Sequence, residues 1–332
     1  MAESIPLAAS EAVYERFVKG AAHQTWGPET SAVNGNGIGV RPENQDAPLA
    51  DRIVPRHVHI VGNHVHHMAG GGIYTDMADY IVIDGNRVHH SATRSIFANS
   101  GISLFHSFDI DNDTRSYKNI IRNNIAHHSE VRVKWYVPKK MSDGNGIIVD
   151  DLRNTQIKGR PYRGRTLVVG NVSHDNGGAG IQVFSSDNVD VLHNTVAHNS
   201  LTPTLHYGEL YVHNASQVRV LNNIAVRSAH SHINGTGLGT PRTVAVVYDH
   251  NLYFGPVDSK APAVVGANDR IADPLFVDYA VRRLQLRPGS PAIGSAASLN
   301  LGLDIGPDVD GRSRPGGGRL DRGAYESAGG MP

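Results

Sequence analysis

Short runs in which apolar and polar residues alternate recur along most of the chain, as in VHIVGN (Val58 to Asn63), YIVIDGN (Tyr80 to Asn86) and VDVLHN (Val189 to Asn194). Period-two alternation over such short stretches, closed by Gly and Asn, predicts half-buried strands and leaves no room for helices. The runs also line up. A first column begins with Gly-Ile: GIGVR from Gly37, GIYTD from Gly72, GISLF from Gly101, GIIVD from Gly146 and GIQVF from Gly180, with ELYVH from Glu209 as a variant. A second column carries Asn63, Asn86, Asn123, Gly170, Asn194 and Asn222, with a shortest step of 23 residues. Two interleaved columns are what stacked coils produce when each turn supplies short strands and insertions loop outward. The architecture predicted is an all-β, right-handed parallel β-helix, a solenoid without lateral edges. Residues 1–33, with SEAVYERFV as a short helix, are expected to cap its start, 34–257 to form the coils, and the Pro- and Gly-rich 258–332 to form an irregular C-terminal cap and tail.

Four residues beyond the second column stand His67, His90, His127, His174 and His198. The spacing predicts a ladder of imidazoles along the axis, with strands about 4.8 Å apart. A regular ladder does not converge on one ion, so a structural, stacking role is expected rather than a metal site.

In the Gly-Ile column, Ile and the residue two later should face the core. One outward ladder is then Gly39, Tyr74, Ser103, Ile148, Gln182 and Tyr211, and a second is Arg41, Asp76, Phe105, Asp150, Phe184 and His213. At the following turn lie Met77, His106, Asp151, Ser185 and Asn214. Acids, aromatic rings, imidazole, amide and guanidinium on one face suit a carbohydrate, which needs stacking surfaces and planar hydrogen-bonding groups. Asp76 and Asp150 should stand about 9 to 10 Å apart, two coils along one ladder. Asp143 and Asn145 precede the strand at the opposite turn, and Asp143 reads as a turn cap. Two long insertions overhang the face. One is His106 to Ser116, whose Asp109, Asp111 and Asp113 imitate a calcium loop but carry Thr114 where the motif needs Gly and Ile120 where it needs Glu. The other runs from Glu130 to Asn145, followed by Leu152 to Arg165, and concentrates Arg132, Lys134, Lys139 and Trp135.

Composition narrows the classes. With 31 basic and 31 acidic residues the charge balances, so nothing marks a nucleic-acid binder. Without cysteine there is neither a disulfide scaffold nor a thiolate metal site. No apolar run is long enough to span a membrane, and the opening MAESIPLAASEAVYERFVKG lacks the apolar core of a signal peptide, which leaves a cytosolic location open.

The tail from Ala272 to Ala296, followed by DIGPDVDGRSRPGGGRLDRGAYE (Asp304 to Glu326), resembles the C-terminal signature of secreted bacterial right-handed parallel β-helix repeat proteins, many of them polysaccharide lyases of the pectate lyase superfamily. The centre, SDGNGIIVDDLRNTQ and Gly164 to Asn194, is similar to the same group. The resemblance implies a secreted or periplasmic protein, monomeric, acting on a polysaccharide or oligosaccharide. Lysine-base pectate lyases carry a similar DGNGF strand followed by the catalytic lysine; here Ile148 follows DGNGI, so that base is missing.

The first function expected is therefore a polysaccharide lyase cleaving a uronate-containing glycan by β-elimination. It needs a base and a cation against the charge building on the carboxylate. Asp150, Asp151, Lys134, His106 and His213 are the catalytic candidates. Asp76, Asp150 and Asp151 would hold Ca²⁺, and Asp76, Tyr74, Arg41, Gln182, Phe184, Tyr211, Arg132, Lys139 and Trp135 would contact the glycan. A glycoside hydrolase using two acids on the same scaffold and a non-catalytic glycan-binding β-helix are the alternatives.

Overall fold

A computed structural model of the chain describes residues 35–44, 47–135, 139–228, 243–255, 265–315 and 318–327, with the backbone alone of 232–236. The expected capping segment 1–33 lies outside the described residues. Within them the chain winds in successive coils, each supplying a strand to three parallel sheets, here A, B and C. The first coil is β1 (Ile38–Val40), β2 (Arg56–Val61) and β3 (His64–His66). In the second, β4 (Ile73–Asp84) runs unbroken from sheet A, beside β1, into sheet B, beside β2, and β5 (Arg87–His89) follows in sheet C. The third is β6 (Ile102–Ser107), β7 (Tyr117–Arg122) and β8 (Ile125–His127), and the fourth β9 (Ile147–Asp150), β10 (Arg165–Val169) and β11 (Val172–His174). The fifth is β12 (Ile181–Phe184), β13 (Asp187–Leu192) and β14 (Thr195–Ala197), and the sixth β15 (Gly208–His213), β16 (Ser216–Leu221) and β17 (Ile224–Val226). The seventh is β18 (His232–Thr236), β19 (Val244–Asp249) and β20 (Leu252–Phe254), after which β21 (Arg270–Ile271) adds a last strand to sheet C. An antiparallel pair, β22 (Phe276–Asp278) and β23 (Arg283–Leu286), lies outside the coils. The chain is a parallel β-helix protein. No helix among the described residues is long and apolar enough to cross a membrane.

The Gly-Ile column holds its register from coil to coil: Ile38, Ile73, Ile102, Ile147, Ile181 and Leu210 are paired in turn, and from Ile73 onward all are buried in one continuous core. The glycine ahead of each isoleucine is required by space at the corner between sheets C and A. A Cβ on Gly72 would meet Val88 Cγ1 at 2.2 Å and the Gly101 carbonyl oxygen at 2.6 Å.

The second column differs by one residue from the sequence expectation at three coils. The ladder is Asn63, Asn86, Asn124, Asn171, Asn194, Asn223 and Asn251. Each side-chain oxygen from Asn86 onward accepts from the backbone N–H and side-chain amide of its predecessor at 2.8 to 3.0 Å. The residue before each ladder asparagine takes positive φ, as at Asn123 (53°), Gly170 (67°) and Asn222 (60°). Gly and Asn tolerate that conformation best, which is why the doublets Asn123-Asn124 and Asn222-Asn223 carry two amides of which only the second joins the ladder.

The histidines shift in the same way, forming two columns rather than one. His66, His89, His127 and His174 stand in register at the last position of the sheet C strands. His67, His90, His128, Asp175 and His198 follow them at positive φ, between 53° and 58°.

The C-terminal segment doubles back along the coils. Phe276, Leu284, Ala292, Ala324 and Tyr325 pack on Val172, Ala197, Ile224 and Leu252, while Leu299, Leu301, Leu303 and Ile305 cover Tyr117, Leu167, Leu192 and Leu221. Arg322, buried to 2% exposure, donates to the carbonyls of Ser295, Asn251 and Asn268 at 3.1, 2.6 and 3.0 Å and so ties tail to coil.

Candidate functional site

The outer face of sheet A carries the two ladders expected from the sequence. Tyr74, Ser103, Ile148, Gln182 and Tyr211 are paired in order, as are Asp76, Phe105, Asp150, Phe184 and His213. Parallel in-register strands put their outward side chains in rows along the axis. A cavity of about 650 Å³ lies over the middle of this face. Its floor is Tyr74, Ser103, Phe105, Ile148, Asp150, Gln182 and Phe184. One wall comes from turns entering sheet A, at 97–100, Trp135, Ser142, Asp143 and Tyr207. The other comes from turns leaving it, at Thr155, Gln156, Ser185 and Asn214.

Two carboxyl groups share this groove. Asp150, the last residue of β9, is pushed well above the ordinary carboxylate range, first by burial and then by the charges of Asp143 and Asp151, with His106 opposing. Asp143, at φ +65° in the turn before the same strand, is pushed up to about 7 by burial, against hydrogen bonds from Ser142 and Asn145. Two interacting acids in one low-dielectric groove cannot both ionise easily, so near neutrality the pair retains a proton. Around them stand flat apolar surfaces, Trp135, Phe105 and Phe184, and hydrogen-bonding groups, among which the buried Gln182 Oε1 has no partner within the protein.

Beneath the floor lies a relay of fixed charges. His106 is buried, with Nδ1 2.9 Å from Asp76 Oδ1 and Nε2 3.3 Å from Asp151 Oδ2. Burial disfavours its charge, but the contacts with Asp151 and Asp76 outweigh that and hold its pKa above the usual value. Asp151 is fully buried and accepts from the Thr155 N–H and hydroxyl and from the Gln156 N–H, at 3.0, 2.7 and 2.8 Å. Burial pushes its pKa up, but His106 first and then these bonds outweigh that and hold its carboxyl below the ordinary range. His106 and Asp151 both sit at positive φ (47°), which turns their side chains off the outward row into the corner between sheets A and B.

No protein-family model matches the chain, and no curated protein matches it. Among solved structures the chain is similar to the A-modules of two mannuronan C-5 epimerases of Azotobacter vinelandii. The first, AlgE6, is 16% identical over 71% of this chain and 73% of that one, with a TM-score of 0.36. The second, AlgE4, is 15% identical over 72% and 74%, with a TM-score of 0.35.

Of the sequence candidates, Tyr74, Asp150, Gln182, Phe184 and Trp135 line the groove. Tyr211 and His213 continue its rows, Tyr211 tilted against Tyr207 at 5.5 Å and His213 stacked on Phe184 at 5.5 Å. Arg132, Lys134 and Lys139 are exposed and absent from its lining, and Arg132 pairs with Glu130 at 3.1 Å. Arg41, just past β1, is exposed and lies near enough to Tyr74 to lower its pKa slightly against the much larger upward push of burial. The triad Asp76, Asp150 and Asp151 does not fit Ca²⁺, because His106 sits between Asp76 and Asp151 and the Asp151 oxygens are already taken by Thr155 and Gln156. The acidic insertion is likewise committed. Asp79, Asp109 and Asp111 hold the buried Lys118 ammonium at 2.6, 3.4 and 3.1 Å. Asp143, expected as a turn cap, accepts from Asn145 Nδ2 at 3.2 Å within its turn and also lines the groove beside Asp150. Its sequence signal was the SDGN turn itself, four residues upstream of a groove strand.

Proposed function

We propose that this chain is a carbohydrate-active enzyme that lays a uronate-containing glycan along sheet A and cleaves it by β-elimination. The observation that carries the reading is the pair Asp143 and Asp150, two interacting acids on one groove, Asp143 raised to about 7 and Asp150 raised well above the ordinary carboxylate range. A carboxylic acid that stays protonated can donate a hydrogen bond to the uronate carboxylate and take up the charge that builds there, a role otherwise filled by a cation. Asp150 has that role. Asp143, ionised, takes the C5 proton; the electron pair forms the C4–C5 double bond as the C4–O4 bond breaks, and the proton passes to the departing O4. Trp135, Phe105 and Phe184 offer faces for sugar rings, and the unpartnered Gln182 Oε1 accepts from a sugar hydroxyl. A polymer substrate of this kind suits a secreted or periplasmic monomer.

Hydrolysis is the second reading. It is favoured by the lining itself, which among the described residues contains no Lys or Arg to meet an anionic sugar. There Asp150 would protonate the leaving oxygen and Asp143 would activate water. A panel of uronate polymers and neutral glycans decides. Elimination leaves an unsaturated sugar that absorbs in the ultraviolet; hydrolysis gives new reducing ends without that absorbance. Binding with neither product would leave the groove as a glycan-binding surface and refute both.

A further inference from the structure

On sheet C, remote from the groove, the two histidine columns meet ring to ring. In each of the first three coils the Nδ1 atoms of neighbouring histidines face each other: His66 and His67 at 2.9 Å, His89 and His90 at 2.8 Å, His127 and His128 at 2.8 Å. Successive residues of a strand should point to opposite faces. The positive φ of the second histidine (56°, 53° and 53°) folds it back beside the first, so the backbone builds a chelate from adjacent residues. Each pair is stacked on the next, with His89 over His127 at 4.7 Å and His90 over His128 at 4.9 Å, both near parallel. At the fourth coil, His174 stacks on His127 at 4.8 Å, and Asp175 takes the place of the second imidazole.

We propose that this double column binds a divalent transition-metal ion of tetragonal preference, chelated by His127 and His128 with His174 as the third ligand. A ring nitrogen of each of the three lies within 4.8 Å of the others, and the His174 ring, now parallel to that of His127 within 5°, turns out of the stack to aim its Nε2 at the ion. Two nitrogens about 2.05 Å from one ion are about 2.9 Å apart at a right angle and about 3.4 Å apart at a tetrahedral one. The 2.8 Å spacing therefore matches the right angle of Cu²⁺ or Ni²⁺ rather than the tetrahedral Zn²⁺ site. Without metal the pair is held by a single shared proton. When the ion enters, that proton moves from Nδ1 to Nε2 of the exposed His128, where water receives it, and no proton is lost overall. Asp175 orients the third ligand. It bonds His174 Nδ1 at 2.7 Å and is itself fixed by His198 at 2.6 Å and by Arg282 at 2.8 and 2.7 Å, the carboxylate–histidine arrangement that positions metal-binding imidazoles. The upper pairs have the chelate but no such carboxylate. A second ion on the adjoining pair would stand only about 4.8 Å away, the strand spacing, so charge repulsion limits the first filling to one ion.

The test uses untagged full-length protein, titrated with Cu²⁺ alone by calorimetry and followed by electron paramagnetic resonance. The expected result is one ion per chain with a tetragonal signal split by three nitrogens. His128→Asn, at an exposed position whose positive φ Asn accepts, should weaken this binding more than about 100-fold, beyond the loss of an orienting partner. His67→Asn, the same change two coils away, should leave it within about threefold. Circular dichroism and melting of both variants without copper check that the fold is kept. Binding that is not stoichiometric, a signal with fewer than three nitrogens, or equal affinity of His128→Asn and wild type overturns the proposal. The nitrogen count is read on wild type and stands even if a variant fails to fold.

Discussion

Replacing Asn194 with Ala removes four hydrogen bonds from the centre of the asparagine ladder. Its Oδ1 accepts from the Asn171 N–H (2.9 Å) and side-chain amide (3.0 Å), and its Nδ2 donates to the Val168 carbonyl (3.0 Å) and to Asn223 Oδ1 (3.0 Å). All four lie in the fully buried corner between sheets B and C. At about 1 kcal/mol net for each bond, and with a buried Asn171 N–H left unpaired, the loss should be about 3 to 5 kcal/mol. Asn63 is the internal control. It ends the ladder, its amide donates only to Asn86 Oδ1 (2.9 Å) and the Val61 carbonyl (3.2 Å), and the site is half-exposed, so Asn63→Ala should cost about 1 kcal/mol or less. Urea unfolding by circular dichroism gives both values, and hydrogen exchange at Asn171 reports the local opening that a coil array allows. If the two variants fall within about 1 kcal/mol of each other, water has replaced the lost bonds and the ladder does not hold the coils together.

Further outcomes follow from other parts of the structure. Lys118→Met leaves the fully buried Asp79 without its cation and should cost about 3 to 5 kcal/mol, with Asp79→Asn recovering part of that loss in a double-mutant cycle; additivity of the two changes would refute the ion pair. Burial, then the neighbouring His174, His89, His128 and Arg87, holds His127 down at about 2; burial and His90, His64, His66 and His67 hold the more open His89 at about 4. Both folded values lie below the unfolded one. Their contribution to stability is therefore full above about pH 6.5 and is lost as pH falls below it, by up to about 1.4 kcal/mol per pH unit for His127 and less for the solvent-screened His89. Asp143, Asp150 and His106, whose folded pKa values are raised, act with the opposite sign over the same range, so the test compares wild type with His127→Asn: a stability difference between the two that stays the same from about pH 7 to 5 would contradict the histidine assignment.

What the sequence made legible was whatever sterics enforce at every coil. The Gly-Ile column survives unshifted because a Cβ at its glycines meets backbone of the next coil, and the outward rows follow from it by alternation. Columns beside a positive-φ corner were read one residue out, since Asn123 and Asn124, or His127 and His128, are chemically equivalent neighbours and only the backbone conformation separates corner from ladder. The groove residues on the rows were readable for the same reason as the rows. Asp143 was not, because it reaches the groove by a turn of the chain, not by strand register. Nor was the inward rotation of Asp151, which alternation from Val149 and Asp150 does not fix once the strand ends.

The pH profile of the best glycan in the panel, for wild type, Asp150→Asn and Asp143→Asn, tests the catalytic pair most directly. Activity in wild type should rise as Asp143 ionises near pH 7 and fall at higher pH as Asp150 gives up its proton, a bell set by the pair. Asp143→Asn should abolish the rising limb and lower turnover by about 100- to 10,000-fold, the worth of a general base. Asp150→Asn keeps a hydrogen-bond donor facing the substrate and should move the falling limb, with a smaller loss. Profiles in both variants that match wild type in shape and height would contradict the account and place the chemistry outside this groove.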